Sequence, residues 1–216
     1  MVLDHAAFIW KGAKIRMAVA VKTEIKKHVD PRVQRTRKLL EQAFIEIMNE
    51  KGFQDMTIQD ITDRATVNRA TFYAHFEDKY DMLDSLVRRQ VNEALADKVP
   101  LAPVYTVERL QQVIITVMEF LLPIQQHCKP TDRQQMTALF VSAVQEELGK
   151  YLLEWLVMSP PALVPQGVNP QTAANVWSWA IFGTAFQWAQ GSQKRSTVEI
   201  AREITLVLTA SCPSES

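Results

Sequence analysis

Residues 57–83 read TIQDITDRATVNRATFYAHFEDKYDML. Thr57 is an N-cap residue, and Asp60 stands where a carboxylate can complete a capping box and favour the helix dipole. The pair predicts a short helix from Ile58 to about Arg64, with Ile58, Ile61 and Ala65 on one face. Thr66 and Val67 make a tight connection, and Asn68 caps a second short helix running to about His75. Two short helices joined in this way form a helix-turn-helix. The turn carries a β-branched residue, which disfavours positive φ, so it either avoids a strongly left-handed backbone at Thr66 or accepts strain there.

Upstream, Asp30-Pro31 is a cap followed by proline at the first helical position, where a missing N–H costs nothing. Val33, Thr36, Leu40, Ala43, Phe44, Ile47 and Met48 then recur at helical spacing, and Gly52 suits a left-handed stop. Downstream, Glu77 and Asp78 open a longer helix in which Tyr80, Leu83, Leu86, Val87, Val91, Ala94 and Leu95 stay in phase to about Asp97. Pro100 and Pro103 mark a connection.

The remainder contains no convincing strand. Thr106 caps a helix carrying Val107, Leu110, Val113, Ile114, Val117 and Leu121, expected to break near Pro123. Thr131 and Gln134 form another expected capping box, ahead of a stripe from Met136 to Trp155 that Gly149 could bend. A proline-rich loop leads to Asn169-Pro170. From Ala173 to Ala189 the next helix is apolar nearly all round, and Ser196 with Glu199 starts a last helix whose apolar residues exceed one stripe. Such a pair at a chain end is completed most simply by a second copy, with Trp179, Phe182, Ile200, Ile204 and Val207 as the candidate dimer interface.

Composition bounds the function classes. With 216 residues, 47% hydrophobic, 22% charged and six glycines, the chain is expected to be globular and helix-rich. No run of 18 or more apolar residues is present, so no membrane span is expected. The patch from Ala6 to Trp10 is too short, and its charges wrongly ordered, for a signal peptide. Cys128 and Cys212 are far apart and read as small hydrophobes, which together with the missing signal suggests a cytoplasmic protein. Formal charge is zero, but ten basic residues face two acidic ones between Lys11 and Lys38. From Leu39 to Asp97 the balance reverses, six against twelve, which suits a focused DNA contact rather than broad non-specific binding. Met17 is a second candidate start, so residues 1–16 stand apart from this reading.

With Thr57, Ile61, Ala65, Val67, Thr71, Tyr73, His75, Phe76, Lys79 and Leu83 at these spacings, the segment closely resembles the DNA-binding signature of the tetracycline-repressor (TetR) family. The resemblance extends from Asp30 to about Ala96. It departs at Thr66 and Ala70, where the family commonly has a turn glycine and a small residue that is often glycine. It implies an all-α fold: an N-terminal three-helix DNA-binding domain plus a larger helical ligand-binding and dimerisation domain. The expected divisions are a basic arm over 1–29, the helix-turn-helix domain over 30–76, a connecting helix over 77–97 and the effector and dimerisation domain over 98–216.

Groove geometry assigns the residues of the second helix. Its leading turn carries Arg69, which could bond guanine O6 and N7 or clamp a phosphate, and Ala70, which could touch a thymine methyl. Asn68 caps and aims that helix. The resemblance implies sugar-phosphate contacts from Thr57, Thr71, Tyr73, His75 and Lys79, with Tyr73 also able to reach a base. His75 could instead be a helix-ending structural residue. In the C-terminal half, Met118, Phe120, His127, Met136, Phe140, Trp155, Trp177 and Phe186 are candidates for an apolar effector cavity. The four histidines are scattered, and neither a nucleophile motif nor a metal cluster nor a glycine-rich phosphate loop is present. The chain therefore reads as a non-enzyme without metal or cofactor. The expected partners are a palindromic DNA operator, a second copy and a small-molecule effector, whose apolar or aromatic character is suggested by that lining. The expected role is a repressor released by that effector, with an activator or co-regulator acting through a protein partner as the alternative.

Overall fold

The computed structural model describes residues 30–102, 105–127, 130–159, 164, 166–191 and 195–210, with side chains from 123 to 136 outside the description. The basic arm, both cysteines and the side chains of His127 and Met136 therefore lie outside the described residues. Among those described there are eight helices and no strand: α1 Pro31–Lys51, α2 Ile58–Ala65, α3 Arg69–Tyr73, α4 Lys79–Lys98, α5 Val107–His127, α6 Pro130–Met158, α7 Pro170–Gln190 and α8 Thr197–Thr209. The protein is all-α. It divides into two compact units between Leu83 and Asp84, with His127–Arg133 grouping with the first.

Local chemistry accounts for the elements of the first unit. Asp30 accepts from the Arg32 backbone N–H at 2.8 Å, with Pro31 in the first turn. Gly52, at φ 88°, closes α1 by donating its N–H to the Met48 carbonyl. Leu40, Phe44 and Ile47 of α1 are buried with Ile61 and Ala65 of α2, Phe72 of α3, Phe53, Phe76 and Met82. At about 1.5–3 kcal/mol for each large apolar side chain removed from water, this core holds the two short helices α2 and α3, which could not persist alone. Arg64 on α2 reaches back to Glu46 at 3.2 Å and Glu50 at 2.8 Å on α1, an exposed tie that orients more than it stabilises.

Thr66 resolves the open question in the turn. It is the single non-glycine residue at positive φ among the described residues, with φ 57° and ψ 45°. Its N–H still bonds the Asp63 carbonyl at 3.2 Å, and Val67 bonds Thr62 at 3.0 Å. The turn accepts the strain instead of avoiding it.

In the second unit, Leu86, Val91 and Leu95 of α4 are buried, as are Ile114 and Met118 of α5, Leu148 and Trp155 of α6, Trp177 and Ile181 of α7 and Ile204 of α8. Arg88 on α4 joins Asp84 at 2.6 Å and Glu146 and Glu147 of α6 at 2.7 and 3.2 Å. Asn92 adds a bond to Glu147 at 2.7 Å. Tyr151 donates to the Val99 carbonyl at 2.8 Å, tying α6 to the end of α4.

Several expectations need correction. Helix α5 continues through Pro123 to His127: proline there removes one bond of the ladder, the one an N–H at this position would make to Glu119, and the helix carries on past it. Helix α6 begins at Pro130, ahead of Thr131; the side chains of Thr131 and Gln134, and with them the expected capping box, lie outside the described residues. Helix α7 is not covered all round: Trp179 is 55% exposed and Val176 59%. Phe182, Ile200 and Ile204 are buried within their own chain, so they face the subunit core and cannot supply an exposed dimer face. The face left open carries Val176 and Trp179 on α7 with Val198, Leu206 and Val207 on α8.

The strain at Thr66 gives the first prediction. A left-handed conformation costs an L-residue roughly 1–2 kcal/mol, part of which glycine loses again as extra freedom of the unfolded chain. Thr66→Gly is expected to stabilise the protein by about 0.5–1 kcal/mol, raising the thermal midpoint by a few degrees. Calorimetry of the two proteins checks it, and a lower midpoint for the glycine variant would count against strain at this turn.

Candidate nucleic-acid interface

Two N-caps hold the helix-turn-helix. Thr57 and Asp60 form a reciprocal capping box: the Thr57 N–H donates to Asp60 at 2.9 Å, and the Asp60 N–H donates to the Thr57 hydroxyl at 3.1 Å. The Lys51 ammonium at 2.6 Å, then the backbone and side chain of Thr57, hold the Asp60 carboxyl down to about 2. The cap therefore stays ionised at any ordinary pH. Asn68 accepts from the N–H and the hydroxyl of Thr71 at 2.7 and 2.9 Å, as expected of the residue that aims α3.

Helix α3 is only five residues long, ending at Tyr73 and not at His75. Phe72 is its one buried side chain, packed at 5.6 Å from Tyr73 and 5.7 Å from Phe76. Everything else on its leading side faces outward: Asn68, Arg69, Ala70, Tyr73 and Ala74 are exposed. Arg69 Nη2 donates to the Tyr73 hydroxyl at 3.1 Å, and its guanidinium carbon lies 5.9 Å from the Tyr73 ring centre. The two long side chains thus hold one another, and Ala70 between them in the chain is exposed as well.

Charge is sorted by position. Lys51, Arg64 and Arg37 are paired with Asp60, with Glu46 and Glu50, and with Glu41. Asp78 accepts from the Tyr80 and Asp81 N–H groups and Asp81 from that of Glu77, so these acids cap α4. Among the described residues no carboxylate lies within ion-pair distance of Arg32, Arg35, Lys38 or Arg69. The first three are exposed on the leading half of α1, three residues apart, where they share a side. They belong to the basic stretch from Lys11 to Lys38, and the cap at Asp30 places these three on a helix, as expected from Asp30-Pro31. That signal was legible in the three-residue spacing of the cations after Asp30-Pro31.

His75 and Lys79 sit differently from the exposed group. His75 is half-buried beside Phe76, with ring centres 6.2 Å apart, and burial followed by the nearby Arg37 charge lowers its pKa, opposed in part by Glu41. Arg37 itself covers the Phe76 ring at 4.7 Å. The leading half of α1 therefore lies beside the end of α3. Lys79 directs its ammonium to three backbone carbonyls, those of Phe53, Gln54 and Met56, at 3.0, 3.1 and 2.9 Å.

Of the effector candidates, the side chains of His127 and Met136 lie outside the described residues. Met118, Trp155 and Trp177 are buried, Phe140 and Phe186 half-buried. Phe120 lines an apolar cavity with Val91, Ala94, Leu95, Thr116, Val117 and Val144. It has room for about one water molecule. Trp155 packs between Tyr105 at 5.6 Å and Tyr151 at 6.4 Å, and its indole N–H is buried without a hydrogen-bond partner, as is the Ser159 hydroxyl one turn on. Among the described residues no group of three or more His, Cys, Asp or Glu is placed to hold a metal ion. No described helix is long and apolar enough to cross a membrane.

Comparison with known proteins places these features. Residues 39–86 match the sequence model of bacterial regulatory proteins of the tetR family. The uncharacterized HTH-type transcriptional regulator YxbF of Bacillus subtilis is 37% identical over 94 residues, which is 43% of this chain and 24% of that protein. The match thus spans about a quarter of that relative's length. Among solved structures, a TetR-family transcriptional regulator from Pectobacterium atrosepticum superposes with a TM-score of 0.57 at 18% identity, over 87% of this chain and all of that one. The repressor FadR of Thermus thermophilus, solved in complex with lauroyl-CoA, gives 0.53 at 22% identity over 83% of this chain and 96% of its own. At such identities the structures speak for a shared fold.

The environment of His75 predicts a pH dependence. Because the folded state disfavours the imidazolium, the unfolded chain binds the proton first. His75 is expected to subtract stability as pH falls from 6.5 towards its depressed folded pKa, and to add nothing further below it. Chemical denaturation at pH 7.5 and pH 5 should show a smaller loss for His75→Asn than for the native chain. An equal loss in both would remove the residue from this role.

Proposed function

We propose that the protein is a homodimeric, sequence-specific DNA-binding transcription regulator of the tetR type, a repressor released by a small-molecule effector; residues 39–86, which match the sequence model of that family, support the reading. The observation that carries the reading is the outward face of α3, with Arg69, Ala70 and Tyr73 exposed on a capped, strained turn. In a major groove, Arg69 reads guanine, Ala70 meets a thymine methyl, and Tyr73 supports Arg69 or reaches a phosphate. Thr57, Thr71 and His75 flank it as sugar-phosphate contacts. Arg32, Arg35 and Lys38 add cations without a carboxylate among the described residues, which steer and hold the DNA backbone.

Dimerisation is supported by the open apolar face of α7 and α8, where Val207 is 73% exposed and Trp179 55%. Gly183 lies on α7 with open space at its Cβ position, which allows another helix to approach closely. A second copy would remove this surface from water, at about 1.5–3 kcal/mol for each large side chain, and would present two reading helices to an inverted repeat. The effector would bind in the second unit. An acceptor-bearing ligand with an apolar body would satisfy the buried Trp155 and Ser159 donors, and a ligand-bound protein of the same fold supports such a role. Release follows when the effector prefers a dimer in which the two reading helices are spaced differently.

Selection of bound duplexes from a random pool tests the reading and is expected to return an inverted repeat. On that duplex, Arg69→Ala should cost about 1–3 kcal/mol and relax preference at one base position per half-site. Unchanged affinity and preference would reject Arg69 as the base reader. Separately, Val207→Glu should turn a dimer into a monomer in light scattering at micromolar concentration, while circular dichroism stays helical. A variant that remains dimeric would exclude the α7 and α8 face.

A further inference from the structure

We propose that Lys79 is a positioning residue that locks the α1–α2 turn to the first turn of α4, rather than a cation that touches phosphate. The proposal rests on the DNA-binding reading above. A lysine ammonium has three protons and no acceptor. Here three carbonyls, of Phe53, Gln54 and Met56, receive it at 2.9–3.1 Å. The Phe53 ring lies 4.9 Å from the same nitrogen, the Tyr80 ring 5.8 Å, and the two rings meet edge to face at 5.1 Å. Phe53 and Met56 are buried, so a carbonyl released from Lys79 is poorly placed to find water. Binding a phosphate with Lys79 would break at least one of these bonds, whereas Arg32, Arg35, Lys38 and Arg69 are exposed with no described carboxylate to leave.

The place of the clamp matters. The Met56 carbonyl immediately precedes Thr57, the cap of α2, and α2 leads through strained Thr66 into α3. Lys79 is the first residue of α4, which continues past Leu83 into the second compact unit. A displacement of the start of α4 is therefore delivered through three hydrogen bonds to the turn that sets the entry of the helix-turn-helix. Loss of the clamp should leave the phosphate-binding cations in place and misplace the reading helix.

The test compares the wild type with Lys79→Met, and with Lys79→Gln as a second variant, at a temperature where circular dichroism shows all three folded. Each is titrated against the selected duplex and a scrambled duplex of equal length over a range of salt concentrations. A positioning role predicts about a tenfold loss on the selected duplex, little change on the scrambled one, and an unchanged salt dependence. Equal losses on both, with the logarithmic salt slope reduced by about 0.9 for each phosphate no longer neutralised, would make Lys79 a phosphate ligand and overturn the proposal. A lower melting temperature with both affinities unchanged would make it merely structural and overturn it as well. A wild type that binds no duplex at low salt would instead bring down the DNA-binding reading, and this proposal with it.

Discussion

The frame of the N-terminal unit depends on a turn held in a conformation its own residue dislikes. Thr66 at φ 57° is where α2 stops and the chain redirects into α3. Its strain persists because both flanks are over-determined: the capping box of Thr57 and Asp60 with Lys51 on one side, and the bonds from Asn68 to Thr71 with the buried Phe72 on the other. A relaxed backbone at this position would change the angle between the two helices. The outward set of Arg69, Ala70 and Tyr73 would then no longer share one surface.

Charge placement follows the same dependence on position. From Leu39 to Asp97 the chain is acidic in sum, yet several of the carboxylates cap α2 and α4 or hold Arg37, Lys51 and Arg64. The cations left without a described carboxylate lie on the leading half of α1 and on α3, and Arg37 against Phe76 brings those two stretches together. Net charge therefore says little about what this surface attracts, since local pairing decides which charges remain to act on a polyanion. Lys79 illustrates the converse: its charge is on the right segment, but its donors are already taken by the protein's own backbone.

In the second unit, helices that read as apolar all round divide their surface in two. Phe182, Ile181, Ile200 and Ile204 turn inward, and Trp179, Val176 and Val207 turn out. Periodicity detected the surplus of apolar surface but did not apportion it, because α7 has nearly equal hydrophobicity on opposite sides. Only the packing of neighbours identifies the face left uncovered. The effector candidates are a similar case. Aromatic supply was visible in the chain, but only packing shows that Trp155 and Trp177 are buried and that Phe120 lines a small apolar cavity.

Local chemistry in the chain itself determined the helical class, the caps at Asp30, Thr57, Asn68, Asn169 and Ser196, and the helix-turn-helix, since each rests on contacts within a few residues. Tertiary structure alone decided whether Thr66 would yield or bear strain, which cations stayed clear of carboxylates, where the Lys79 ammonium went, and which apolar residues of α7 and α8 remained outside. Those outcomes depend on partners tens of residues away in the chain. A hydrogen bond or an ion pair is assigned by distance in space, which spacing along one strand of sequence does not contain.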